Sequence, residues 1–261
     1  MENGSPAGYD DAVATTAPRR PAPPADNELA DNEQGSKMAG PMAVLFDVDE
    51  TLVHTGGAGA RSWAYAFEKL HGVTADIGEY SKPGQTDPQV ARETFSGVLE
   101  REPTHDELGR LYSAYLMHLA DEIWTSKKYH VMESVVPTLR QMAEAGVILG
   151  LVSGAMEGAA RVKLGPGQLG RHFVFGAYGS DSADRGEVTK LAVAKAGHLH
   201  GHKLSRSEVY VVGDTPLDIE AAHAADATAI GVATGNYTVE QLRAAEADYV
   251  LGSMAEPFPN L

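Results

Sequence analysis

Beyond about residue 40 the chain alternates between short unbroken apolar runs and longer stretches in which apolar residues recur every three or four positions. The first run, Ala43-Val44-Leu45-Phe46, contains no polar residue. This pattern predicts a strand buried on both faces of a parallel sheet. Similar runs follow at 147–152, 173–175, 209–212 and 228–232, with a short one at 248–250. Helical patterns separate them at 135–145, after 153, near 187–196, near 216–225 and at 239–245. Strands alternating with helices predict an α/β fold with a doubly wound, mostly parallel sheet and right-handed crossovers.

The stretch from 58 to 130 breaks this rhythm. Trp63, Ala66, Phe67 and Leu70 fall on one helical face,. Thr104-His105-Asp106-Glu107 reads as a capping box opening a helix with Leu108, Leu111, Tyr112, Tyr115, Leu116 and Leu119,. Nothing there reads as a buried strand, so an all-helical insertion between the first and second strands is expected. Thr55-Gly56-Gly57-Ala58-Gly59 precedes it and suits either a simple loop or a hinge,. Residues 1–40 carry Pro18, Pro21, Pro23 and Pro24 and few large apolar side chains, which predicts a disordered acidic tail,. The expected organisation is a tail at 1–40, a core domain from 41–57 plus 131–261, and a helical domain at 58–130.

Composition narrows the function. Apolar residues make up 43% of 261 and charged residues 22%, enough for a sizeable core,. A net charge of -15 argues against nucleic acid or an anionic membrane as partner,. It leaves room for a small phosphorylated substrate, because local cations or a metal can reverse the field in a cleft. With no cysteine, thiolate chemistry and disulfides are excluded,. No apolar stretch approaches the ~20 residues of a membrane span. The first residues lack the pattern of a secretory signal, so a soluble cytoplasmic protein is expected,.

The chemistry gathers at strand ends, where ligands of such sheets bind. Asp47 and Asp49 follow the first strand with one residue between them. Two close carboxylates call for a cation or a shared proton, and an all-oxygen site suits magnesium. Ser153 and Gly154 follow the second run and are expected to open a helix, as an N-cap or as a phosphate cradle,. Gly213-Asp214-Thr215-Pro216-Leu217-Asp218 follows another, and helix capping explains one of its aspartates but not both,. The histidines in 197–202 lie at the opposite end of the sheet and read as a solvated loop. Thr86 and Asp87 suit a helix cap as well as a substrate contact, and Trp124, Tyr129 and Tyr115 read as core,.

Together, Asp47-Val48-Asp49-Glu50-Thr51, Ser153, a following basic residue and Gly213-Asp214 with Asp218 resemble the four ordered motifs of the haloacid dehalogenase-like hydrolases. The resemblance spans residues 43–252. The two aspartates of the first motif resemble the phosphatase branch, and the helical insertion resembles that family's first cap type. Gly84-Gln85-Thr86-Asp87-Pro88 and the layout look most like the phosphoglycolate-phosphatase-like group. Glu50 stands where many members have glycine.

The resemblance implies a Rossmann-like core with an inserted helical cap and a magnesium-dependent hydrolase of small phosphate monoesters. Asp47 would be the nucleophile and Asp49 the acid and base. Ser153, Gly154 and Arg185 would bind phosphate, with Arg185 preferred to Lys190 as the third-motif cation. Asp47, Asp49 through its backbone carbonyl, Asp214 and Asp218 would surround the metal. A phosphosugar mutase of the same fold, or a module that binds phosphate or metal without turnover, are the alternatives. Oligomeric state stays open.

Overall fold

The computed structural model describes residues 40–261, so the expected tail lies almost wholly outside the described residues. The central strand β1 (Ala43–Phe46) ends in a tight turn leading to the short β2 (Val53–His54). Four helices follow: α1 (Ala58–His71), α2 (Ile77–Tyr80), α3 (Asp87–Leu99) and α4 (His105–Thr125). Then comes β3 (His130–Val131), antiparallel to β2. Thus the strands entering and leaving the helical segment lie side by side. From there α5 (Val135–Glu144), β4 (Ile148–Ser153), α6 (Glu157–Leu164), β5 (Phe175–Tyr178) and α7 (Arg185–His200) alternate. The chain finishes with β6 (Val209–Gly213), α8 (Pro216–Ala224), β7 (Thr228–Val232), α9 (Val239–Ala244) and β8 (Tyr249–Leu251).

The six-stranded sheet runs in the order β5-β4-β1-β6-β7-β8, parallel throughout. Strands continue away from β1 in one direction through β4 and β5, then resume on its other side with β6. The reversal at β1 is the topological switch point, outside whose carboxyl ends ligands of such sheets bind. Register aligns Phe46 with Leu151 on one side and Val212 on the other. The residues just beyond those positions therefore meet at the switch point.

Two apolar clusters cover the sheet, divided by the period-2 alternation of the strands. Val44, Phe46, Leu149, Leu151, Tyr210 and Val212 belong to one, which runs on into Trp63, Phe67, Phe95 and Tyr115 of the helical segment. Ala43, Leu45, Val209, Val211 and Ala229 belong to the other, packed with residues of α7 and α8 such as Val188, Ala192 and Ile219.

Several boundaries differ from the sequence expectation. Ser153 ends β4 and does not open a helix; α6 begins at Glu157, with Met156 as its N-cap. The strand expected at 173–175 begins at Phe175, because Leu169–His172 forms a 3₁₀ turn that Phe173 terminates. Phe173 then packs edge-on against Phe46, with ring centroids 6.1 Å apart. The histidine-rich stretch is not a loop: α7 continues through Gly197 to His200, and Gly201 caps it in the left-handed conformation at φ 78°. Tyr115 is core as expected, but Trp124 is 67% exposed.

Candidate active site

The turn after β1 is built by hydrogen bonds that fold it back on itself. Leu52 and Val53 N–H both donate to the Val48 carbonyl, and Glu50 N–H donates to Val53 O. This geometry puts Glu50 at φ 56°, a region glycine enters without a Cβ penalty. The Glu50 carboxylate turns to His54, 2.8 Å from Nδ1. Thr234, on the loop after β7, donates to the Glu50 carbonyl at 2.6 Å.

Asp47 emerges from β1 buried, its N–H still bonded to Val212 O at 2.9 Å. Asp214 and Asp218 come from the end of β6 and the first turn of α8. One carboxylate oxygen from each of Asp47, Asp214 and Asp218 lies within 4.8 Å of the others, and all three residues are buried. Asp218 is pinned by a capping box: Thr215 N–H and Oγ1 donate to its Oδ2 at 3.1 and 2.8 Å. Asp214 is held more loosely, by Thr51 Oγ1 at 3.3 Å. The side chain of Asp49 is not part of this cluster.

Arg185, the first residue of α7, reaches into the cluster although it is remote in sequence. Its Nη2 donates to Asp47 Oδ1 at 2.8 Å and also to Asp218 Oδ1. Its Nε is buried and has no hydrogen-bond partner among the described residues. A buried donor of that kind calls for an acceptor. Lys190 is instead on the surface, paired with Glu187 at 2.9 Å.

These contacts set the electrostatics. Burial pushes Asp47 up to about 7 against the pull of Arg185, and Asp218 and Asp49 add repulsion. Burial pushes Asp214 up to about 9, reinforced by Asp218, Asp47 and Glu50. A site that disfavours its own carboxylate charges in this way has room for further positive charge. Its all-oxygen, carboxylate donor set fits a hard divalent cation such as magnesium.

Ser153 is buried at the end of β4, its Oγ accepting from Ala155 N–H at 3.2 Å. Gly154 faces the segment before α3: a Cβ here would come within 2.5 Å of the Gln85 carbonyl and 2.9 Å of Arg185 Nη1. The same segment makes further contacts with the sheet side of the site. Thr86 caps α3 and donates to Ala183 O at 2.8 Å. Asp87 N–H donates to Gly154 O at 2.8 Å, while its carboxylate accepts from Met156 N–H at 2.8 Å.

One contact of the site has no counterpart among the sequence-derived candidates. Lys163 Nζ on α6 lies 2.6 Å from Asp49 Oδ2. The signal was present: Ala159, Ala160, Lys163 and Leu164 share the buried face of α6, so a lysine stands where an apolar residue is due.

The haloacid dehalogenase-like hydrolase model matches residues 41–226. Phosphoglycolate phosphatase of Vibrio cholerae is 29% identical over 230 residues, covering 82% of this chain and 95% of its own. The enzyme of the same name from Vibrio vulnificus is 26% identical over 223 residues, covering 82% and 92%. The crystal structure of a predicted phosphoglycolate phosphatase from Haemophilus somnus superposes with a TM-score of 0.68 at 20% identity, covering 84% of this chain and 96% of that one. That last likeness is one of fold. With the family model covering most of the chain, and a six-stranded parallel sheet carrying carboxylates at its switch point, this protein belongs to the haloacid dehalogenase-like hydrolases.

Proposed function

We propose that the protein is a magnesium-dependent phosphatase of small phosphate monoesters, phosphoglycolate-like in kind. The observation that carries this reading is the charge balance at the switch point. Asp47, Asp214 and Asp218 gather their carboxylates, and the one guanidinium among them, that of Arg185, pairs with Asp47 and Asp218. Once all three are ionised, three carboxylates against one cation leave two negative charges, the complement of one divalent ion. Asp47, the backbone carbonyl of Asp49 and Asp214 would hold magnesium. Asp218 joins them as a ligand or, given its bonds to Thr215, as an anchor. When bound, the ion supplies charge neutralisation to the phosphoryl oxygens and to the nucleophile.

The chain's own groups then divide the work of two displacements. A carboxylate oxygen of Asp47 attacks phosphorus; the bond to the ester oxygen breaks, leaving an aspartyl-phosphate. Asp49 gives its proton to the departing alkoxide. In the second step Asp49 takes a proton from water as the water oxygen attacks phosphorus, which releases phosphate and restores the Asp47 carboxylate. Arg185 suits bidentate contact with phosphoryl oxygens, its unpartnered Nε included, with Ser153 and Gly154 beside it,. The helical segment 58–130 acts as a cap that excludes water, with the paired β2 and β3 and the glycines at 56 and 57 as its hinge,. The names of the Vibrio relatives favour a small phosphorylated acid as substrate.

Phosphate release from a panel of small phosphate esters, with and without magnesium, tests this against Asp47→Asn. Magnesium-dependent release that is lost in the variant is the expected result. Transfer of the phosphoryl group to a sugar without free phosphate would favour a mutase, and binding without turnover would leave a binding module.

A further inference from the structure

The reaction just outlined uses one buried cation, Arg185, and leaves a second unexplained. The side chain of Lys163 is 7% exposed, whereas that of its partner Asp49 is 41% exposed. A lysine placed for packing alone extends its ammonium to water. Lys163 does the opposite and ends on a carboxylate. A buried ammonium is costly unless its charge is answered. Burial alone would lower its pKa, but the carboxylates of Asp49 and Asp87 answer the charge here and the pKa is raised instead.

The groups around Lys163 come from three helices of the segment between β2 and β3. Asp87 opens α3, accepts from Met156 N–H and lies within reach of the Trp63 side chain. Trp63 of α1 stacks on Tyr115 of α4, with ring centroids 4.1 Å apart. Lys163 is thereby fixed from several sides, and it in turn grips one oxygen of Asp49. Among the described residues no other hydrogen bond holds that carboxylate.

We propose that Lys163 is a positioning residue for Asp49. It occupies Oδ2, leaving Oδ1 as the oxygen that carries the proton to the leaving group, and helices α1, α3 and α4 keep Lys163 in place. This inference rests on the phosphatase reading, since it assigns the orientation of that reaction's acid.

The test uses leaving groups. Proton donation matters for an alkoxide and little for p-nitrophenolate, and kcat/KM reports only the steps through formation of the phosphoenzyme. In Lys163→Met, kcat/KM for an alkyl ester such as phosphoglycolate is expected to fall about 10²-fold, and that for p-nitrophenyl phosphate by no more than a few-fold. Asp49→Asn should show the same split, and the double variant should be no worse than Asp49→Asn alone. If Lys163→Met does not fold, Lys163→Met/Asp87→Asn removes both buried charges together and gives the same reading. Equal losses on both esters, or no loss, in a folded variant of an active enzyme would overturn the positioning role alone. A wild-type protein inert towards both esters would overturn the phosphatase reading and this role with it.

Discussion

Gly154 stands between the Gln85 carbonyl and the Arg185 guanidinium with no space for a side chain. In Gly154→Ala one of the two must move, and overpacking of this kind costs about 1–3 kcal/mol. A displaced Arg185 loses its register on Asp47, so kcat/KM is expected to fall about 10²-fold while the protein stays folded. Steady-state kinetics beside thermal melting checks this; a lowered melting temperature with unchanged kinetics would mean that the Gln85 segment gives way and Arg185 keeps its place. At this scale the site was partly legible. Asp47, Asp214 and Asp218 could be placed together from strand ends alone, and the structure does gather them. Lys163 and Asp87 could not, because their partners lie on elements far apart in sequence. Lys163 meets Asp49 across 114 positions, a contact that no local pattern records.

Among the elements, the apolar runs located every strand of the main sheet but not every edge. Phe173 and Val174 look like strand residues, yet the 3₁₀ turn before them delays pairing until Phe175, and Val174 ends 72% exposed. Gly197 looks like a helix stop, yet α7 passes through it, and a Cβ there would come within 2.8 Å of His202 O. That glycine serves a close approach, and the αL cap falls at Gly201. Capping boxes were more reliable: Thr104 with Glu107 opens α4 as their spacing predicts. The side-chain exchange in such a box is local and depends little on the rest of the fold. Thr86, which suited two roles in sequence, caps α3 and also bonds to Ala183 O.

For the whole molecule, the raised carboxylates make stability depend on pH, and the proposed magnesium would act on the same groups. Asp87, Asp47 and Asp214 are pushed up to about 6, 7 and 9, with burial the largest cause in each. Raised folded-state values mean that the folded protein holds protons which the unfolded chain releases. Their contribution to stability is full below about pH 4 and is lost as pH rises through each folded value, up to about pH 9. Without metal, the melting temperature is therefore expected to fall across this window. The proposed magnesium would bind the deprotonated carboxylates, so its stabilising shift is expected to be larger at about pH 8 than at about pH 6. Thermal melts over pH, with and without magnesium, check both signs; a shift that shrinks as pH rises would contradict them.

The covalent phosphoryl intermediate proposed on Asp47 can be trapped directly. The enzyme would be mixed with phosphoglycolate and magnesium, quenched in acid during turnover, and its peptides weighed. The peptide containing Asp47 is expected to gain the mass of one phosphoryl group, transiently and only with magnesium, and Asp47→Asn to show no such gain. Turnover of the ester with no phosphorylated peptide, or with the phosphoryl group on another residue, would contradict it.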